Sequence, residues 1–128
     1  MQPNDSTSRY RRYALIALAL LTLAVYGRDV TFDFINWDDL DLVVENPVLN
    51  PVNGSHLRDM WTGPVKSLYT PLAYTVWSAA AKVGRTATPD AYGISLNPAV
   101  FHAINVLLHV GCVLLVFDVL LWLPLPGR

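Results

Sequence analysis

The chain has 128 residues, room for one domain at most. It is 53% hydrophobic and only 15% charged, against about 25% charged for ordinary soluble chains, and its apolar residues gather in two blocks, which points to membrane spans rather than a soluble core. A net charge of −1 leaves no basic field for nucleic acid, so none is expected as a partner.

Residues 1–8 are polar and carry no pattern, which reads as a disordered cytoplasmic tail. Arg9, Arg11 and Arg12 then precede an uncharged run from Tyr13 to Tyr26 that is rich in the good helix formers Ala and Leu. That run is shorter than the about 20 residues needed to cross hydrocarbon. Tyr10, Tyr13 and Tyr26 at the interfaces, with Arg12 and Arg28 snorkelling outward, make up the difference. The first transmembrane helix is therefore expected over 9–28. A cleaved signal peptide is the alternative. Leu23-Ala24-Val25-Tyr26-Gly27 is not an A-x-A cleavage pattern, which favours an uncleaved anchor. The three arginines before the span place the N-terminus in the cytoplasm and the following segment outside.

Residues 29–97 are expected to form a long extracytoplasmic loop containing short amphipathic helices. Val30, Phe32, Phe34 and Ile35 lead into an acidic stretch, with Asp38, Asp39, Asp41 and Glu45 inside eight residues. Acids placed side by side repel and so take up a proton more readily, which suits proton transfer. A carboxylate at a membrane edge is a candidate functional group by default. The plain alternative is a water-facing loop whose Asp and Asn residues make turns. In an extended segment Asp38 and Asp39 would point opposite ways, so only one of them could face a reacting group.

Asn46-Pro47, Asn50-Pro51 and Asn53-Gly54 are turn signals. Ser55 is placed to cap a short helix through Trp61, closed by Gly63-Pro64. Thr70 as cap and Pro71 at the first position open a second helix, which runs to about Val83 and stops at Gly84. Leu72, Val76, Trp77, Ala80 and Val83 are grouped on one face of it. Either that face packs on neighbouring elements, or the helix lies on the membrane with Tyr74 and Trp77 among the headgroups.

Asn97-Pro98 opens a second span, expected over 98–123 and stopped by Pro124 and Pro126, with 124–128 as a cytoplasmic end. His102, Asn105 and His109 form one stripe along it, with Asp118 pointing roughly the other way. Polar side chains in a span usually serve as glue to other membrane helices, the expectation for Asn105 and His109. His102, at the outer end, is placed to meet an anionic group such as a lipid phosphate. The single cysteine, Cys112, has no intrachain disulfide partner and reads as a small packed hydrophobe. His56, His102 and His109 are too scattered for a metal site, and neither metal nor cofactor is expected.

Four motifs follow one another in register: Phe34-Ile35-Asn36-Trp37-Asp38-Asp39, Glu45-Asn46-Pro47, Tyr69-Thr70-Pro71-Leu72, and Phe101-His102-x-x-Asn105-x-Leu107-Leu108-His109. Over about Val30 to Phe117 they resemble the N-terminal end of multispanning glycosyltransferases of the GT-C fold, closest to bacterial relatives of the transmembrane and tetratricopeptide-repeat O-mannosyltransferases. The resemblance implies transfer of a sugar from a polyprenyl-phosphate carrier to an acceptor hydroxyl on the extracytoplasmic side. It implies Asp38 and Asp39 as the catalytic pair, Asp38 being the base, and Tyr69, His102 and Asn105 as substrate-binding residues. Such enzymes have many more spans and a repeat domain. The expectation is therefore a fragment, inactive alone, whose partners are membrane lipid, the lipid-linked sugar and further membrane helices. The competing reading is a non-catalytic two-span membrane protein whose external loop binds a partner.

Overall fold

The computed structural model describes residues 5–123; the first four and last five residues lie outside the described residues, and with them half of the expected tail and the expected cytoplasmic end. The architecture is all-α. Its helices are α1 (Asp5–Tyr26), a 3-10 turn (Gly27–Thr31), a π-helical turn (Leu40–Val44), α2 (Gly54–Thr62), α3 (Pro71–Val83) and α4 (Pro98–Trp122). Two stretches, Ser8–Thr31 and Pro98–Trp122, are long and apolar enough to cross a membrane, and only 6% of the most apolar window of each is buried in protein. The first helix begins at Asp5, so residues 5–8 are helical where the sequence suggested a disordered tail. Among the described residues there is no strand, only isolated bridges between Val65 and Leu68 and between Arg85 and Leu96.

The chain divides into two compact units, Met1–Asp29 with Asn105–Arg128, and Val30–Ile104. In the first, α1 and the later part of α4 meet through a ring contact and an ion pair. The Tyr26 ring stands edge-on to His109 at 4.7 Å. Arg11 donates to both carboxylate oxygens of Asp118, at 3.2 and 2.8 Å. Asp118, left without a role by its position on the helical wheel, is thus half of an ion pair. Cys112 is exposed on α4 and not packed inside. Of the two residues expected as glue, His109 touches Tyr26 and Asn105 is exposed; His102, further up the stripe, belongs to the other unit.

The second unit has a true core of Val43, Leu49, Met60, Tyr74, Ala80, Ala81, Leu96 and Phe101. Its helices end where local chemistry says they must. The N-cap of α2 is Asn53, whose side chain accepts from His56 N at 2.9 Å. Ser55, the expected cap, sits inside the helix and donates to Asn53 Oδ1. Asn wins because it stands two residues earlier in extended backbone, where a cap side chain can reach back to the orphan N–H groups. The α3 helix runs from Pro71 to Val83 and closes at Gly84, as its proline and glycine dictate, although the Thr70 side chain makes no capping bond. A Cβ on Gly84 would meet Ala80 O and Val100 Cβ at 3.1 Å, so the end of α3 approaches the start of α4 closely enough that any side chain there would press its neighbours aside. Asn97 N to Gly84 O and Thr86 N to Ser95 O then tie the connecting loop shut.

The structure corrects the reading of α3. Tyr74 is 1% exposed and lies edge-on to Trp77 at 5.4 Å, inside the unit rather than among headgroups. Ala80 is buried while Leu72 and Val83 are exposed, so the residues grouped as one face are divided between core and surface.

Candidate functional site

The acidic stretch folds as a tight turn followed by an uncommon helical turn. Trp37 N donates to Ile35 O at 2.8 Å, and Glu45 N reaches back five residues to Leu40 O at 2.7 Å. Turns of that i to i+5 kind recur at functional sites. The two adjacent acids have separate fates. Asp39 is half-buried, and its Oδ2 accepts from Ile35 N at 3.0 Å, closing the loop. Asp38 is exposed and makes no hydrogen bond to a described residue. Backbone angles at Asp39 are helical, φ −63° and ψ −39°, not extended as the sequence suggested. Successive helical side chains diverge by about 100°, so the two carboxylates still face different ways.

The other acids are accounted for separately. Asp41 pairs with Lys66 Nζ, which reaches it from a two-residue turn where Lys66 and Ser67 both have positive φ, 48° and 67°. Asn46, fully buried, donates to Leu42 O and accepts from Val48 N, and Asn50 donates to Val43 O and Val44 O. These two amides fix the C-terminal side of the acidic turn. Nearby, burial pushes the Tyr74 phenol up from its ordinary value, the Asp41 carboxylate adds to this, and Lys66 and Asn46 oppose it.

A cleft of about 390 Å³ opens beside the turn, and Asp33, Phe34, Asn36, Leu40, Glu45 and Tyr92 are among its lining residues. Asp38 and Asp39 are not among them. Sequence reasoning did not single out Asp33, Asn36, Glu45 or Tyr92 as site residues. Asn36 and Glu45 did lie within the motifs. Nothing local marks Tyr92, which arrives because Asp90 Oδ1 accepts from both Tyr92 N and Ile94 N, folding the loop over Gly93 at φ 80°.

The three expected binding residues are dispersed. The His102 ring lies 6.2 Å from that of Phe34, which also stacks edge-on to Phe101 at 5.4 Å, so His102 is beside the strand of chain leading into the acidic turn. Its Nε2 is buried and has no hydrogen-bond partner among the described residues, while the side chain as a whole is half-buried. Tyr69 is exposed and donates from its hydroxyl to Trp61 O at 3.2 Å. Asn105 is exposed and belongs to the first unit. Among the described residues no group of three or more His, Cys, Asp or Glu side chains gathers for a metal. Comparison with protein-family models, with curated proteins and with solved structures finds no match to this chain.

Proposed function

We propose that this chain contributes the first external loop of an integral membrane glycosyltransferase of the GT-C type. In this reading the acceptor hydroxyl attacks the anomeric carbon of a polyprenyl-phosphate sugar. The bond from that carbon to the phosphate oxygen breaks, polyprenyl phosphate leaves, and Asp38 takes the hydroxyl proton. The supporting observation is the division of labour within the acidic pair: Asp39 is spent on closing the turn through Ile35 N, and Asp38 is left exposed beside it. Two spans cannot enclose a lipid phosphate, so turnover is expected only together with further membrane helices. In this reading Arg9, Arg11 and Arg12, in the N-terminal part of α1, orient both ends to the cytoplasm and residues 29–97 outside. A cysteine at Ser67 should then label with an impermeant thiol reagent in intact cells, and one at Ser6 should not; the reverse pattern would invert the topology.

The test of the chemistry is Asp38→Asn against Asp41→Asn in the complete membrane enzyme, with a labelled lipid-linked sugar. Asp38→Asn should cut turnover by roughly 10²-fold or more with donor binding nearly intact, whereas Asp41→Asn should be close to neutral. Turnover that survives Asp38→Asn sinks the base assignment. A second reading, a non-catalytic two-span protein whose external loop binds a partner, draws on the exposed Phe32, Ile35 and Trp37 around the same turn. It is favoured if neither substitution affects any transfer while both weaken capture of a partner.

A further inference from the structure

We propose that α3 carries a membrane-docking stripe: Leu72, Val76, Ala79 and Val83, seated on the headgroup–acyl boundary of a lipid bilayer. Spaced four, three and four residues apart, they fall in a narrow arc at about 100° per residue and run about 16 Å along the helix at about 1.5 Å per residue. Leu72 is 71% exposed and Val83 78%; Ala79 is exposed and Val76 half-buried. The buried side of the same helix holds Tyr74 and Ser78 with Ala80 and Ala81. Relative to a helix facing water, α3 is inside out, with hydroxyls inward and branched aliphatics outward.

This arrangement is anchored. Ser78 Oγ donates to Tyr74 O at 2.7 Å, Tyr74 OH donates to Val65 O at 3.4 Å, and Thr75 Oγ1 donates to Pro71 O at 2.7 Å. Rolling the helix to hide Leu72 and Val83 would pull Tyr74 and Ser78 out of the core. The exposed apolar ridge is therefore a property of the packed unit, and such ridges mark a surface with a partner.

The chemistry at the two ends of the stripe selects a bilayer. At the N-terminal end Leu68, Tyr69 and Trp61 are exposed. Both aromatic polar groups are tied inward, Trp61 Nε1 donating to Thr75 Oγ1 at 3.1 Å and Tyr69 OH to Trp61 O. The ring faces left exposed are apolar, on residue types that are enriched at membrane–water interfaces. At the C-terminal end Lys82 is exposed beside Val83, where its stem can lie along apolar surface and its ammonium reach a phosphate. The unit also continues without a linker into both apolar helices, at Asp29–Val30 and Ile104–Asn105. Covalent connection to two helices long and apolar enough to cross a membrane would keep the unit within reach of that bilayer. The assignment does not depend on the transferase reading.

The test is nitroxide depth measurement on the full chain in phosphatidylcholine–phosphatidylglycerol vesicles, on a Cys112→Ser background. Labels go at Ala79→Cys and Val83→Cys, with Thr88→Cys in the exposed loop as the water reference. Docking is expected to raise the ratio of oxygen to water-soluble nickel collisions at Ala79 and Val83 several-fold over Thr88. Nickel access equal to that at Thr88 would overturn it, because the stripe would face water. Low access to both reagents at both sites would also overturn it, because a second copy or another helix would then cover the stripe. Two label sites guard against local disruption by either one.

Discussion

The two units use apolar residues in opposite ways. In the unit of α1 and the later part of α4, Leu20, Leu21, Leu107 and Leu115 all stand exposed. In the unit between, Leu49, Met60 and Tyr74 are at or near zero exposure. The polar groups differ too. The inner unit spends side chains on satisfying irregular backbone: Asn46, Asn50, Asn53 and Asp90 each bond main-chain groups. The long helices need almost none of this, since an α-helix pairs its own backbone, the condition for crossing hydrocarbon. Leucine content therefore says little about where a leucine goes. The surroundings that an element faces decide: Leu49 faces protein interior, whereas Leu115 stands on a helix long and apolar enough to cross a membrane.

The sharpest way to break that contrast is to truncate one leucine in each unit. Leu49→Ala should destabilise the inner unit by about 2–5 kcal/mol, as large-to-small changes at fully buried sites do. Leu115→Ala should leave the same transition in place, since its side chain is already 67% exposed and packs on nothing in that core. Urea unfolding in detergent, followed by tryptophan fluorescence, reads both. Equal losses would mean that the units do not fold separately.

A smaller effect sharpens the description of the core. The buried Tyr74 phenol holds its proton more tightly than in the unfolded chain, where it ionises near 10.0. Its contribution is thus complete below that value and is lost as pH rises through the folded-state value. Stability of the inner unit should fall on passing above about pH 10, and Tyr74→Phe should remove part of that fall. An unchanged alkaline slope in Tyr74→Phe would show that the group is not the one titrating.

The smallest expected effect belongs to the outer unit. Arg11 and Asp118 are partly exposed, so their pair should be worth about 1 kcal/mol or less. Its role is better read as registration of α1 against α4 than as stability. Leu18 and Cys112 line one groove, which allows a cross-link between Leu18→Cys and the native thiol. Arg11→Asp should lower cross-linking yield, and adding Asp118→Arg should restore it. Equal yields in all three would leave the pair without a positioning role.

Residue order alone determined the elements whose limits are set by nearest neighbours. Proline at the first position and glycine after the last bounded α3 to the residue, Gly63-Pro64 ended α2, and uninterrupted apolar length marked both candidate spans. The Asp residues of the acidic stretch were also legible as turn formers, and Asp39 closes such a turn by accepting from Ile35 N. Three things were decided only by the tertiary structure. A helical wheel orders residues around α3 but does not say which arc meets the core; packing against Met60 and the hydroxyl bonds of Tyr74 and Ser78 chose the arc, and left Leu72 and Val83 outside. Tyr92 reached the cleft beside the acidic turn through a loop closed far from that turn in sequence. Arg11 found Asp118 across 107 positions, a pairing that no local pattern encodes because it exists only once the two helices lie side by side.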